Sequence, residues 1–238
     1  MNAFFYAIAL QWKLDIRSKT LLVTCYIVPL IFFLLMGGIF TSLMPQMKTT
    51  LIPAMVVMGV SMGAFIGLPP SLIETYGSDI KKVYKANGVP LYLPLVTMFL
   101  SAFVHLMIMC GIIILLAPVL FEAVLPANLA AFFPALAIYI LVSLSIGSIL
   151  GLVVKTQAKL TMVSQLLFLP SIMLSGIMFP IELLPKTFEI AGKIFPGSWG
   201  YILMLDKGFQ LKNLWYFIVV FAAAIIVCGV LLKKQKER

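Results

Sequence analysis

Six stretches of this 238-residue chain each run for about 20 residues or more without an Asp, Glu, Lys or Arg. They lie at roughly 21–41, 51–71, 91–117, 129–154, 160–180 and 213–232. About 20 apolar residues in helical form cross the hydrocarbon core of a bilayer, and lipid offers no partner to an exposed peptide group. The expected fold is therefore an all-α polytopic membrane protein with six transmembrane helices, a single domain over 1–238. Composition agrees: 63% of the residues are hydrophobic and 11% charged, against roughly half and a quarter in soluble domains. Cys25, Cys110 and Cys228 all fall in apolar runs without paired or metal-type spacing, so they read as small buried hydrophobes.

The basic residues orient the spans. With both termini cytoplasmic, that side holds Lys13, Arg17, Lys19, Lys81, Lys82, Lys85, Lys155, Lys159, Lys233, Lys234, Lys236 and Arg238, twelve of the 17. The opposite side keeps Lys48 in one short loop. Lys186, Lys193, Lys207 and Lys212 lie in the long loop before the last span, partly offset by Glu182, Glu189 and Asp206. The net charge of +9 then reflects topology in a cell membrane and contact with anionic lipid, with no nucleic-acid partner expected. Residues 1–20 put Phe5, Ile8, Trp12 and Ile16 at three- or four-residue steps beside Lys13 and Arg17, the pattern of a helix lying in the inner interface.

Helices in lipid associate through close packing and a few polar contacts. Gly59, Gly63 and Gly67 in the second span, and Ser143, Gly147 and Gly151 in the fourth, form small-residue ridges at four-residue steps. Either a neighbouring helix of the chain or a second copy can fill them. Thr97, Ser101 and His105 form a polar stripe on the third span; a lone neutral His bonded to a neighbouring hydroxyl accounts for it, and an intramembrane ionisable group is also a functional candidate. With one His, no metal site is expected. Ser61, Phe65, Gln165, Phe168 and Ser171 are candidates to line a passage for an amphipathic solute.

No span carries a carboxylate for a coupling ion, which disfavours secondary active transport. The sequence has no G-x-x-x-x-G-K-[ST] loop and no hydrolase motif of the G-x-S-x-G or H-E-x-x-H type. Driving force for uphill movement has to come from another polypeptide. The segment SLIETYGSDIKKVYKANGVPLYLP between spans two and three is the place to receive it. Ile80, Val83 and Tyr84 share one face of a short helix stopped by Gly88 and Pro90, with Lys81, Lys82 and Lys85 beside it. Such a helix inserts into a partner's groove or rests on the inner leaflet.

Two motifs carry a resemblance to the membrane subunits of ABC exporters of the ABC-2 type. In ETYGSDIKKVYKANGVP, Glu74, Gly77, Ile80 and Lys81 match a loop of the form E-R-x-x-G-T-L-K-R. In LSGIMFPIELLP, Leu174, Ser175, Gly176, Phe179, Pro180, Leu184 and Pro185 match an L-S-G-x-x-F-P-x-x-x-L-P ending of span five. The resemblance implies a permease dimer, of identical or paralogous halves, driven by a cognate ATPase subunit that holds ATP and Mg. This chain would then hold no cofactor and catalyse nothing. It also implies coupling through Glu74, Gly77 and Ile80 to Lys85, and a re-entrant outer segment around Ser175, Gly176, Phe179, Pro180, Pro185 and Pro196. The cargo expected of such an uncharged interior is a hydrophobic drug, antibiotic peptide or lipid. A non-transporting sensor or immunity subunit, and an ATP-independent scramblase or scaffold, remain open alternatives.

Overall fold

The computed structural model describes residues 3–178, 184–205 and 210–237. Among these the chain is helical, with no strand. Its helices are α1 (Ala3–Arg17), α2 (Lys19–Leu43), α3 (Leu51–Gly77), α4 (Ile80–Ala86), α5 (Tyr92–Phe121), α6 (Leu129–Val153), α7 (Gln157–Met173), α8 (Lys186–Gly192), α9 (Pro196–Met204) and α10 (Leu211–Glu237). Five of them, α2, α3, α5, α6 and α10, are long and apolar enough to cross a membrane.

The expected span at 160–180 differs from what is observed. Its helix, α7, has 17 residues, about 25 Å at about 1.5 Å per residue. It begins earlier because the Thr156 side chain caps it, accepting from the Lys159 amide. It ends at Met173, and Gly176 adopts a positive φ of 81° that no helix continues through. Phe179 and Pro180 lie outside the described residues.

α3 forms the centre of the bundle. It is apolar on every face, and 94% of its apolar window is buried, against 11% for α10 at the periphery. Both glycine ridges are filled from within the chain. A Cβ at Gly59 would meet Met109 Cε at 2.8 Å, and one at Gly63 would overlap Leu106, so this ridge receives α5. A Cβ at Gly67 would lie 3.0 Å from Cys25 Sγ on α2. On α6, a Cβ at Gly147 would collide with the Ala64 carbonyl oxygen, and one at Gly151 with Leu72, which seats α6 directly on α3. Ser143 is buried on the same helix.

α2 and α3 each contain one wide π turn, at Val23–Ile27 and Gly63–Gly67, and the two turns pack side by side. Proline explains both. Pro29 follows the first turn, and Pro69 and Pro70 follow the second; lacking an N–H, each leaves a carbonyl one turn upstream without its donor. For Phe65, the orphan carbonyl is taken by the Ser164 hydroxyl of α7 at 2.7 Å. In this way a backbone irregularity in the central helix fixes the position of α7.

Candidate functional site

The basic end of the bundle is built around α4. Seven residues are too few for a helix to persist unaided, and local bonds close both ends. Ser78 Oγ accepts from the Ile80 amide at 3.2 Å, and Asp79 pairs with Lys82 at 2.7 Å. The Lys82 ammonium holds the Asp79 carboxyl below its ordinary range, first through the hydrogen bond and then through charge. At the far end Gly88 takes a φ of 67°, so that the Val89 amide reaches the Tyr84 carbonyl and the Gly88 amide reaches Lys85. This is a Schellman ending, which Gly supplies without strain.

Hydrogen bonds brace the segment around α4 against the bundle. Buried Tyr76 donates to the Leu91 carbonyl and accepts from the Leu95 amide at 3.1 Å, joining the end of α3 to the start of α5. Lys81 Nζ donates to Gln235 Oε1 at 2.8 Å, joining α4 to α10. Between them lies a cavity of about 340 Å3 lined by Lys81, Lys155, Lys234, Gln235 and Tyr76. Lysines from α4, the α6–α7 connection and α10 thus converge on one end. Ile80 is 41% exposed and Val83 59%, so α4 keeps an apolar face that is uncovered among the described residues. Glu74 and Gly77, expected in the loop, instead form the exposed last turn of α3.

Of the residues proposed to line a passage, four are buried and Gln165 is exposed. Ser61 and Phe65 are fully buried; the Ser61 hydroxyl bonds the Val57 carbonyl at 2.8 Å and the Tyr139 hydroxyl at 2.7 Å. Phe168 and Ser171 lie on the buried face of α7, while Gln165 faces outward with Met162, Leu166 and Leu169. Tyr139, unremarked in the sequence, is the junction of α3, α6 and α9, and its ring fills the space a side chain at Gly200 would need. A hydroxyl in an otherwise apolar span requires a partner, and that was the available signal.

The N-terminal helix also departs from expectation. Ile8 and Trp12 turn inward, but Phe5 and Ile16 are exposed, and Gln11 and Asp15 complete the inward face. The reason lies on α5. Trp12 stacks on His105 with ring centroids 4.3 Å apart and planes 7° from parallel, and Tyr26 Oη and His105 Nδ1 share a hydrogen bond at 2.7 Å. Asp15 is 7% exposed, receives Gln11 Nε2 at 2.8 Å, and lies within electrostatic reach of His105. The uncharged runs of the spans hold no carboxylate, yet α1 carries one to the flank of α5. Ile8, Trp12 and Asp15 sit at helical spacing, a face visible in the sequence once a buried acid is admitted.

At the opposite end, α8 and α9 form a helical pair. α9 is buried against α3, α6 and α7, beginning at Pro196, while Phe188, Ile190 and Ile194 around α8 are exposed. Ser198 Oγ bonds the Gly192 carbonyl at 2.6 Å, Trp199 Nε1 donates to Lys193 O at 2.7 Å, and Trp199 stacks on Tyr216 of α10. A Cβ at Gly192 would strike the Leu174 carbonyl, so α8 folds directly onto the end of α7. Ser175 is buried beside the positive-φ Gly176; Pro185 caps α8. No group of His, Cys, Asp or Glu suited to a metal occurs among the described residues.

Comparisons with curated proteins and with solved structures give no match. A model of the ABC-2 type transporter family matches residues 2–209, from the N-terminal helix through the α8–α9 pair. The chain belongs to the ABC-2 type transporter family.

Proposed function

We propose that this chain is the membrane subunit of an ATP-driven exporter, working as a dimer with a separate ATPase subunit. The observation that carries the reading is α4: a short helix closed at both ends, presenting exposed Ile80 and Val83, tied through Lys81 to α10 and flanked by the Tyr76 joint between α3 and α5. Its dimensions suit insertion into a partner's groove, where an apolar face supplies affinity and Lys82 and Lys85 meet an acidic rim. Movement of α4 would then reach the central helix through rigid hydrogen-bonded joints.

The remaining features fit this arrangement. Both termini and α4 face the cytoplasm, by the distribution of lysines. α7 makes a sixth crossing, and the α8–α9 pair is a re-entrant element closing the outer side, with α9 covered by α3, α6 and α7. The exposed faces of α2 and α7, including Gln165, meet the second copy and enclose the route for a hydrophobic or amphipathic cargo. ATP and Mg belong to the partner.

Co-purification tests the coupling. With the cognate ATPase co-expressed, the wild-type chain is expected to yield a stable complex that hydrolyses ATP. Ile80→Asp with Val83→Asp, both at exposed positions, is expected to abolish the complex. Full complex formation by that variant removes α4 as the docking element.

A further inference from the structure

Polar contacts hold α10 at both of its ends. At the basic end Gln235 Oε1 accepts from Lys81 Nζ of α4 at 2.8 Å. At the opposite end Tyr216 donates its hydroxyl to the Ile194 carbonyl at 2.7 Å and stacks on Trp199 of α9. Ile194 completes a run of three carbonyls at the end of α8, and Ser198 and Trp199 of α9 hold the other two, at Gly192 and Lys193. One side chain of α10 therefore grips both members of the α8–α9 pair. Between the joints, residues 217–232 offer no hydrogen-bonding side chain stronger than that of Cys228. The face of α6 beneath is equally free of polar ties, because Ser145 and Ser148 bond carbonyls of their own helix. A Cβ at Gly229 would meet nothing within 4 Å, whereas Gly147 and Gly151 lock α6 onto α3. Cavities of about 330 and 280 Å3 flank α10 where it lies on α6.

Every other membrane-length helix contains a proline, and α2 and α3 also carry a π turn; α10 has neither. From Tyr216 to Gln235 it runs unbroken for about 28 Å at about 1.5 Å per residue. A helix without a kink site keeps its two ends in a fixed relation, and packed helices with no polar tie between them can slide by shear. We infer that α10 is a rigid rod that carries displacement of α4 to the α8–α9 pair at the opposite end, with Gln235 and Tyr216 as its positioning residues. The central helix is a poorer carrier: α3 is interrupted by its π turn, and Gly63 and Gly147 key it to α5 and α6, so that displacing it displaces the bundle. The use of such a rod rests on the exporter reading, in which α4 receives the push. Its existence does not.

Hydrogen exchange of the full-length chain in nanodiscs tests it, because coupling between two ends has to be reciprocal. Gln235→Leu removes the acceptor at the basic end. It is expected to speed exchange of the Lys193, Ile194 and Phe195 amides at the far end about threefold, the worth of one partly exposed hydrogen bond. Tyr216→Phe is expected to do the same to the Asn87 and Val89 amides that close α4. At each end the double variant should match the single variant whose own joint lies there, since a rod released at one end carries nothing from the other. Gln235→Glu keeps an acceptor for Lys81 and should behave as the wild type, and exchange in α3 should stay constant throughout. Effects confined to the substituted end overturn the inference. So do effects that multiply in the double variant, a far-end effect that persists in Gln235→Glu, or one accompanied by faster exchange in α3. No ATPase enters this measurement, so its failure is distinct from retention of the complex by the α4 variant, which tests the exporter reading.

Discussion

Ser164 of α7 donates its hydroxyl, at 2.7 Å, to the Phe65 carbonyl that Pro69 deprives of a helical donor. The bond couples a proline defect in the central helix to the position of a neighbour. Ser164→Ala is expected to destabilise the chain by about 1 kcal/mol, read as a lower Tm in detergent. In a Pro69→Ala background, where the helix regains its own donor, the same substitution should cost clearly less. An equal cost in both backgrounds would show that the hydroxyl acts by packing alone.

Gly147 faces the Ala64 carbonyl across the closest approach of α6 to α3. A backbone oxygen cannot swing aside as a side chain can, so Gly147→Ala should cost about 2 kcal/mol. Gly229→Ala faces open space and should change stability by less than about 0.5 kcal/mol. Thermal unfolding of the two variants side by side checks the contrast.

Trp12 holds α1 to the bundle through the His105 ring. Trp12→Ala should speed amide exchange across α1 about tenfold, the loss of roughly 1.4 kcal/mol of stacking and burial. Exchange in α3 should remain as it was, which distinguishes release of α1 from general loosening.

Lys48 and Glu122 join the α2–α3 and α5–α6 loops at 2.7 Å, beside a backbone bond from the Val124 amide to the Lys48 carbonyl at 2.9 Å. Lys48 lowers the Glu122 pKa from its ordinary 4.5, by the hydrogen bond first and charge second. A depressed carboxyl stabilises above its unfolded value and ceases to do so as pH falls through the folded one. Protection of the Val124 amide should therefore decline as pH is taken below about 4.5, and in high salt at neutral pH. Glu122→Gln should remove both dependences.

The placement of most spans was legible because uncharged runs of bilayer length admit few alternatives. α3 and α6 emerge with starts at Leu51 and Leu129, as the hydropathy implies. The short helix α4 was equally legible, since Gly88 and the apolar step Ile80–Val83 are local signals. What stayed hidden depends on tertiary partners. Apolarity alone carried the expected fifth span to residue 180, whereas turn formation after Met173 ends α7 early. Ser61 pairs with Tyr139, a contact between helices that no spacing announces. The burial of Asp15 arises from packing of α1 on α5, which nothing in the local pattern around it signals.

The central claim is that this chain supplies a route and borrows its driving force through α4. Proteoliposomes containing the chain alone, or the chain with its cognate ATPase, can be loaded with a hydrophobic fluorescent dye and given ATP and Mg on the side of the basic end. Dye movement against its gradient is expected only when both polypeptides are present, and is expected to vanish with Ile80→Asp and Val83→Asp. Uphill movement by the chain alone would contradict the account.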